Sequence, residues 1–183
     1  MKNIFIIIVF ISSSFFLSAQ DKEINWITMG EAISAQEKNP KKIIMDAYTN
    51  WCGPCKMLDK KTFHNSDVVK YINENYYAVK FNAEGNESIN YKDQSFSNPG
   101  YDASRGNSRN SQHQLAQALE INAYPTIVFF DENANILIPL PGYKTPQQLE
   151  LYLKLFYNDG HQNISTQEEW GAYQKNFKSE FEG

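Results

Sequence analysis

Cysteine is scarce in this chain: Cys52 and Cys55 are the only two among 183 residues. Two cysteines cannot supply an all-cysteine zinc site, nor one built from three cysteines and a histidine. The three histidines, His64, His113 and His161, stand apart and lack the short pairwise spacing of a zinc finger. Covalent haem attachment needs a histidine directly after the second cysteine, and Lys56 stands there. No metal or organic cofactor is therefore expected. Positive charge is not in excess either. The net charge is −4, and −5 without Lys2, which gives no electrostatic case for a nucleic-acid partner. Beyond residue 19 no apolar run approaches the roughly 20 residues of a transmembrane helix, and there is no internal repeat.

Long apolar stretches occur only at the N-terminus. Met1-Lys2-Asn3 precedes an apolar run from Ile4 to Ile11, then serines at 12–14, then Phe15-Phe16-Leu17-Ser18-Ala19. This layout predicts a signal peptide over residues 1–19, cut after Ala19. A retained anchor is the competing reading, but the serines shorten the apolar run. Leu17 is larger than the residue preferred three positions before a cut. No cysteine follows Ala19, so no lipid-modified cysteine is expected there. The remaining chain is expected to be exported, periplasmic or extracellular, with one domain over 20–160 and a helical extension over 161–183.

The rest of the chain alternates helical and strand patterns. Residues 30–38 read as a helix stopped by Asn39-Pro40. Residues 42–48 are mostly apolar, as a central strand is, with one charged residue, Asp46, inside. Residues 54–63 have helical character, Asn65-Ser66-Asp67 suits the cap of a helix over 68–75, and residues 76–82 alternate as a strand. From 83 to 110 the pattern dissolves into Gly, Asn, Ser and Asp. So long a loop is functional or mobile, and a tolerated surface insertion and a binding element both stay open. Tyr91, Phe96 and Tyr101 are its candidate docking residues. A helix over 111–120 follows, then a buried strand over 126–130, a turn, and an edge strand over 136–140 that accommodates Pro139. Thr145-Pro146 opens a helix carrying Leu149, Tyr152, Leu153 and Phe156. Thr166 and Glu169 suit a capping box for a last helix, with Trp170, Tyr173, Phe177 and Phe181 on one face that packs on the domain or serves a partner. This order implies an α/β domain, a central mixed sheet with helices on both faces.

Both cysteines lie in Trp51-Cys52-Gly53-Pro54-Cys55-Lys56, at the C-terminal end of the first long strand, where α/β sheets place their sites. Closing so small a loop constrains the unfolded chain little, so the spacing argues for a disulfide that turns over; a purely structural one is the competing reading. Disulfide exchange begins with a thiolate. Cys52, at the start of the following helix, is the candidate nucleophile, because backbone N–H groups and the helix dipole stabilise its anion. Lowering its pKa from about 8.5 to about 7 corresponds to roughly 2 kcal/mol. Cys55, one turn on, is the candidate resolving thiol. Pro54 stiffens the loop, and Gly53 lets backbone and substrate approach closely. Asp46, if buried, has a raised pKa and is the candidate proton acceptor for Cys55, directly or through water. An exposed strand-end acid is the alternative, and Lys80 is the candidate neighbouring charge. Pro125, just before a strand, sits where a special turn or a cis bond is expected of proline.

Together these residues resemble the thioredoxin family. The run from Asp46 to Lys56 matches the family's buried aspartate, tryptophan and active-site motif at the family's spacing. Val79-Lys80-Phe81-Asn82 resembles the strand carrying its lysine, Tyr124-Pro125-Thr126 its cis-proline segment, and Gly142 its groove glycine. The likeness runs from about Ile24 to Tyr157 and is interrupted over 83–110. Residues 57–69 are closer to exported members such as the C-terminal thioredoxin-like domain of the DsbD reductase. The resemblance implies a thioredoxin-like fold, a cis Pro125 facing Cys52, and substrate pairing along the Tyr124 backbone. Tyr124 is bulkier than is common before that proline, which points away from general promiscuity. The expected activity is reduction of protein disulfides by dithiol–disulfide exchange, with a membrane electron-donor protein as partner. Oxidase or isomerase chemistry and a non-catalytic binding module are the alternatives.

Overall fold

The computed structural model describes residues 23–183; the signal peptide expected at 1–19 lies outside the described residues. A two-residue strand, β1 (Trp26–Ile27), leads to Thr28, which with Glu31 forms a reciprocal cap that starts α1 (Met29–Gln36). The central strand β2 (Lys42–Tyr48) follows, then α2 (Gly53–Leu58), which widens into a π-helical turn over Asp59–Phe63. That turn carries Phe63 into the core edge-on to Trp26, with ring centres 5.1 Å apart. The Asn65 side chain caps α3 (Ser66–Asn75) through the Asp67 and Val68 N–H groups, and β3 (Tyr76–Asn82) returns alongside β2. A hairpin, β4 (Ile89–Tyr91) and β5 (Gln94–Phe96), precedes α4 (Gln114–Ala118). The antiparallel pair β6 (Thr126–Phe130) and β7 (Ile136–Pro141), then α5 (Pro146–Tyr157) and α6 (Gln167–Asn176), complete the chain.

The sheet order is β1-β3-β2-β6-β7, with the first three strands parallel and the last two antiparallel. It is the mixed α/β sheet expected. Alternation along β2 splits its side chains between two cores. Ile43, Met45 and Ala47 join Val79, Phe81 and Leu115 on the side of α1 and α4. Ile44 joins Leu58, Ile72, Phe129 and Leu149 on the side of α2, α3 and α5. Ile44 has no exposed surface, so Ile44→Ala would cost about 2–5 kcal/mol. Asp46 has the parity of Ile44, so it projects toward the helix that carries the cysteines. The parallel register sets Asp46 against Lys80.

Three regions differ from the sequence reading. Residues 83–110 are not structureless: Lys92 and Asp93, both at positive φ (49° and 59°), turn the β4–β5 hairpin. Asn-Gly is the usual signal for such a turn, and three-residue strands are too short to show alternation. Tyr91 is buried and its hydroxyl donates to the Ala134 carbonyl at 2.8 Å, so part of this segment belongs to the core. The helix expected over 111–120 is shorter, because the buried His113 ring is its N-cap. Nδ1 accepts the Leu115 N–H at 3.0 Å, which leaves the proton on Nε2 to donate to the Glu87 carbonyl at 2.8 Å. Finally, α6 ends at Asn176, so Phe181 lies beyond the helix on an extended tail. The Glu150 carboxylate accepts the Glu180 and Phe181 N–H groups that a longer helix would direct to its own carbonyls. Trp170, Tyr173 and Phe181 still pack against the second core.

Candidate active site

The chain leaves β2 at Tyr48 and turns through Thr49, whose carbonyl accepts the Cys52 N–H at 3.2 Å. Cys52 is the N-cap of α2, and Pro54 lies in the first turn, where a missing N–H costs nothing. The two cysteines form a disulfide with S–S 2.08 Å and Cα–Cα 5.3 Å. The Cys55 N–H donates to Cys52 Sγ at 3.1 Å. That donor would stabilise negative charge on Cys52 Sγ once the bond opens. Exposure does not separate the two residues, since Cys52 is 2 % and Cys55 5 % exposed. Gly53, Pro54 and Lys56 are exposed on the rim. A Cβ built on Gly53 would meet no protein atom within 4 Å, so nothing inside the fold requires glycine there.

Behind the disulfide lies a cavity of about 270 Å³ whose walls include Asp46, Cys55, Lys56, Asp59 and Lys80. Asp46 is 1 % exposed. Its Oδ2 lies 2.9 Å from Lys80 Nζ, and its Oδ1, also buried, accepts no hydrogen bond from the protein. Burial holds the Asp46 carboxyl above the usual range, Lys80 opposes this, and the nearby Asp59 charge adds to the upward push. Lys80 Nζ also reaches Asp59 Oδ1 at 2.6 Å and sits 4.7 Å over the Trp26 ring. Burial pulls the Lys80 ammonium down, but the two carboxylates more than offset that, and its pKa is raised. The sequence reading missed Asp59, although its spacing from Cys55, four residues on along a helix, was a readable signal.

The other wall combines residues far apart in sequence. The Tyr124–Pro125 bond is cis. The Tyr124 ring meets Trp51 edge-on with centres 6.0 Å apart, which places the proline segment beside the motif. Burial raises the Tyr124 hydroxyl pKa, and the charge of Glu84 adds to it. The Pro125 carbonyl accepts the Gly142 N–H at 2.8 Å, and Gly142 has φ +84°, a conformation that favours glycine. Glu84 was also missed: its Oε2 accepts the Trp51 indole N–H at 2.7 Å and the Asn110 N–H at 2.8 Å. Asn50 donates to the Gly106 carbonyl at 2.7 Å. Residues 106–110 are thus fastened to the cysteine motif itself, and no local sequence pattern announces this. Among the described residues no cluster of His, Cys, Asp and Glu could hold a metal ion, and no helix is long and apolar enough to cross a membrane.

Residues 29–157 match the family model described as a thioredoxin-like domain. Over 126 residues, 67 % of this chain, the sequence is 26 % identical to the thiol:disulfide interchange protein DsbD of Pectobacterium atrosepticum. The chain spans only 18 % of that relative's length. Among solved structures, a thioredoxin-fold protein from Helicobacter pylori superposes with a TM-score of 0.58 at 21 % identity, covering 79 % of this chain and 95 % of that one. A putative disulphide-isomerase from Bacteroides thetaiotaomicron gives 0.51 at 26 % identity, covering 75 % and 95 %. A Cys-x-x-Cys disulfide opening a helix, beside a cis-proline turn in a mixed sheet, agrees with these likenesses: the chain belongs to the thioredoxin-like family of thiol-disulfide oxidoreductases, with Cys52–Cys55 as its disulfide.

Proposed function

We propose that this protein is an exported reductase of protein disulfides, with Cys52 as nucleophile and Cys55 as resolving thiol. In the dithiol form, the Cys52 thiolate attacks one sulfur of a target disulfide. A Cys52–target mixed disulfide forms and the target's other sulfur leaves as thiolate. Cys55 then gives up its proton and attacks Cys52 Sγ. The mixed disulfide breaks, the reduced target departs, and Cys52–Cys55 is restored, two electrons having passed to the target. The observation that carries this reading is that Cys55 and the buried Asp46 line one cavity, with Asp46 Oδ1 unbonded by the protein. A carboxylate with a raised pKa is suited to take the Cys55 proton, directly or through water in that space. Tyr124, cis Pro125 and Gly142 supply the edge along which an extended target segment would pair. Restoring the dithiol requires an electron donor, and the likeness to DsbD supports a membrane protein in that role, as it supports a periplasmic location.

Reduction of insulin disulfides tests the proposal: the wild type turns over and Cys52→Ser does not, and equal rates would leave only a binding module. Cys55→Ser should accumulate mixed disulfides through Cys52. Isomerase chemistry is the second reading, favoured by the likeness to the putative disulphide-isomerase. The reduction potential separates the two: near −270 mV supports a reductase, about −180 mV an isomerase. Fractionation of cells producing the full chain reads export.

A further inference from the structure

Arg105 and Arg109 are the chain's only arginines, and both lie in the loop between β5 and α4. The Arg109 guanidinium carbon sits 4.8 Å from the centre of the Trp51 ring, one residue from Cys52. Among the described residues no carboxylate lies within ion-pair distance of it. Its position is built rather than incidental. Glu84 holds the Trp51 indole and the Asn110 N–H on a single oxygen, which ties the ring to the backbone next to Arg109. Asn50 holds the same loop at Gly106. A guanidinium stacked on indole keeps its N–H fork free, and that fork fits a carboxylate with two parallel hydrogen bonds. Trp51 also meets Tyr124, so the ring that carries Arg109 borders the Tyr124–Pro125 segment.

We propose that Arg109 is a specificity-determining residue that receives an Asp or Glu side chain close to the target cysteine. The proposal deepens the function above and rests on its assignment of Cys52 as attacking sulfur. The chain as a whole carries a net charge of −4 and repels acidic partners. Arg109 sets one cation without an ion-pair partner on the Trp51 face, while the Glu84 carboxylate is engaged by the indole and Asn110 N–H groups, so selection acts on the sequence around the cysteine and not on the partner's overall charge.

One exchange step tests it without turnover. Reduced Cys55→Ser protein is mixed with two peptides that differ only in Glu or Gln two residues from a cysteine held as its 2-thiopyridyl disulfide. The Cys52 thiolate bonds to the peptide sulfur, the bond to the pyridyl sulfur breaks, and released pyridine-2-thione is read by absorbance. The Glu peptide should react about fivefold faster, the scale of one partly exposed ion pair. The ratio should fall toward one at about 1 M salt and on adding Arg109→Gln, while Arg109→Lys keeps part of it. Equal rates with the two peptides, or a ratio that survives Arg109→Gln, overturn the proposal. Equal slowing of both peptides by Arg109→Gln also overturns it, since that marks mere support of Trp51. Release from neither peptide overturns this proposal together with the assignment of Cys52. Insulin turnover with both cysteines present reads the reductase reading separately: lost turnover with an intact Glu preference sinks that reading and leaves Arg109 standing.

Discussion

Asp46 and Glu150 are both carboxylates with almost no exposed surface, 1 % and 0 %, yet the fold treats them in opposite ways. Asp46 has one partner, Lys80, and one oxygen to which the protein donates nothing; burial wins and its pKa is raised. Glu150 has no exposed surface either, but it is covered by the mostly exposed tail, and burial pushes it up as well. It is surrounded by donors, though: Lys154 Nζ at 2.8 Å, the Ser179 hydroxyl, and the N–H groups of Glu180 and Phe181. These hold the charged form, and its pKa is lowered. Loss of exposed surface alone does not decide the sign: the depth of burial and the donors aimed at the carboxylate decide it together. Glu150 therefore fastens the C-terminal tail over α5 and α3, where Phe181 also packs on Tyr71. Asp46 is left able to hold or accept a proton beside the disulfide.

Removing each carboxylate should move stability in opposite directions. Glu150→Ala is expected to cost about 2 kcal/mol, because the part-buried Glu180 and Phe181 N–H groups and the Ser179 hydroxyl lose their acceptor, while Lys154 keeps Glu180. Limited proteolysis should then cut within 177–183 before the domain, while insulin reduction by the remaining folded protein persists. A variant as stable as wild type would break the comparison. Asp46→Asn should instead stabilise the fold by about 1–2 kcal/mol in urea unfolding at pH 7, since it removes a poorly satisfied buried charge. The same change should lengthen the life of the Cys52 mixed disulfide about tenfold in quenched-flow assays. A destabilised Asp46→Asn protein would place Asp46 with Glu150, as structural.

The pH dependence sharpens the contrast. Glu150 binds its proton less readily folded than unfolded, so its stabilisation is present above about pH 4.5 and is lost as pH falls through its lower folded-state value. Asp46 binds its proton more readily when folded, so the cost of its charge appears as pH rises from 3.8 through its raised value. On acidification the gap between Asp46→Asn and wild type should close as pH falls toward 3.8, and the gap between wild type and Glu150→Ala should close as pH falls below about 4.5. Unfolding curves from pH 3 to 8 read both, and an Asp46→Asn gap that widens on acidification, or a Glu150→Ala gap that does, would refute the assignment. The smallest effect belongs to Asp59→Asn. It removes a charge that raises the Asp46 pKa and competes for Lys80, so the Asp46 carboxyl resonance should titrate at lower pH by NMR.

Much of this was legible because it is local. The apolar run of β2 with a single acid inside, the proline before β6 and the spacing of the cysteines are patterns of a few residues. The strand assignments for residues 42–48, 76–82 and 126–130 match the structure for the same reason. The hairpin at 89–96 was illegible because Lys92-Asp93 turns it without the usual residues. The tail was misread as helix because its aromatic spacing suits one, and nothing nearby reveals that Glu150 takes its N–H groups. Glu84 and Arg109 at Trp51 carry no local signature at all.

By itself the sequence determined the chemistry available: two thiols on one turn, a carboxyl in the strand before them, and a proline segment to face them. The thiols and the carboxyl are neighbours in the chain, so spacing suffices for them; the proline segment meets the motif only through the sheet. Tertiary structure decided which buried carboxylate is left short of donors and what lines the wall beside Cys52. Both depend on groups brought together across the chain, Trp51 with Glu84 at a separation of 33 residues and Glu150 with Glu180 at 30. A proton's position follows the donors that surround a group, and those donors are assembled only when the sheet register and the returning tail close around it.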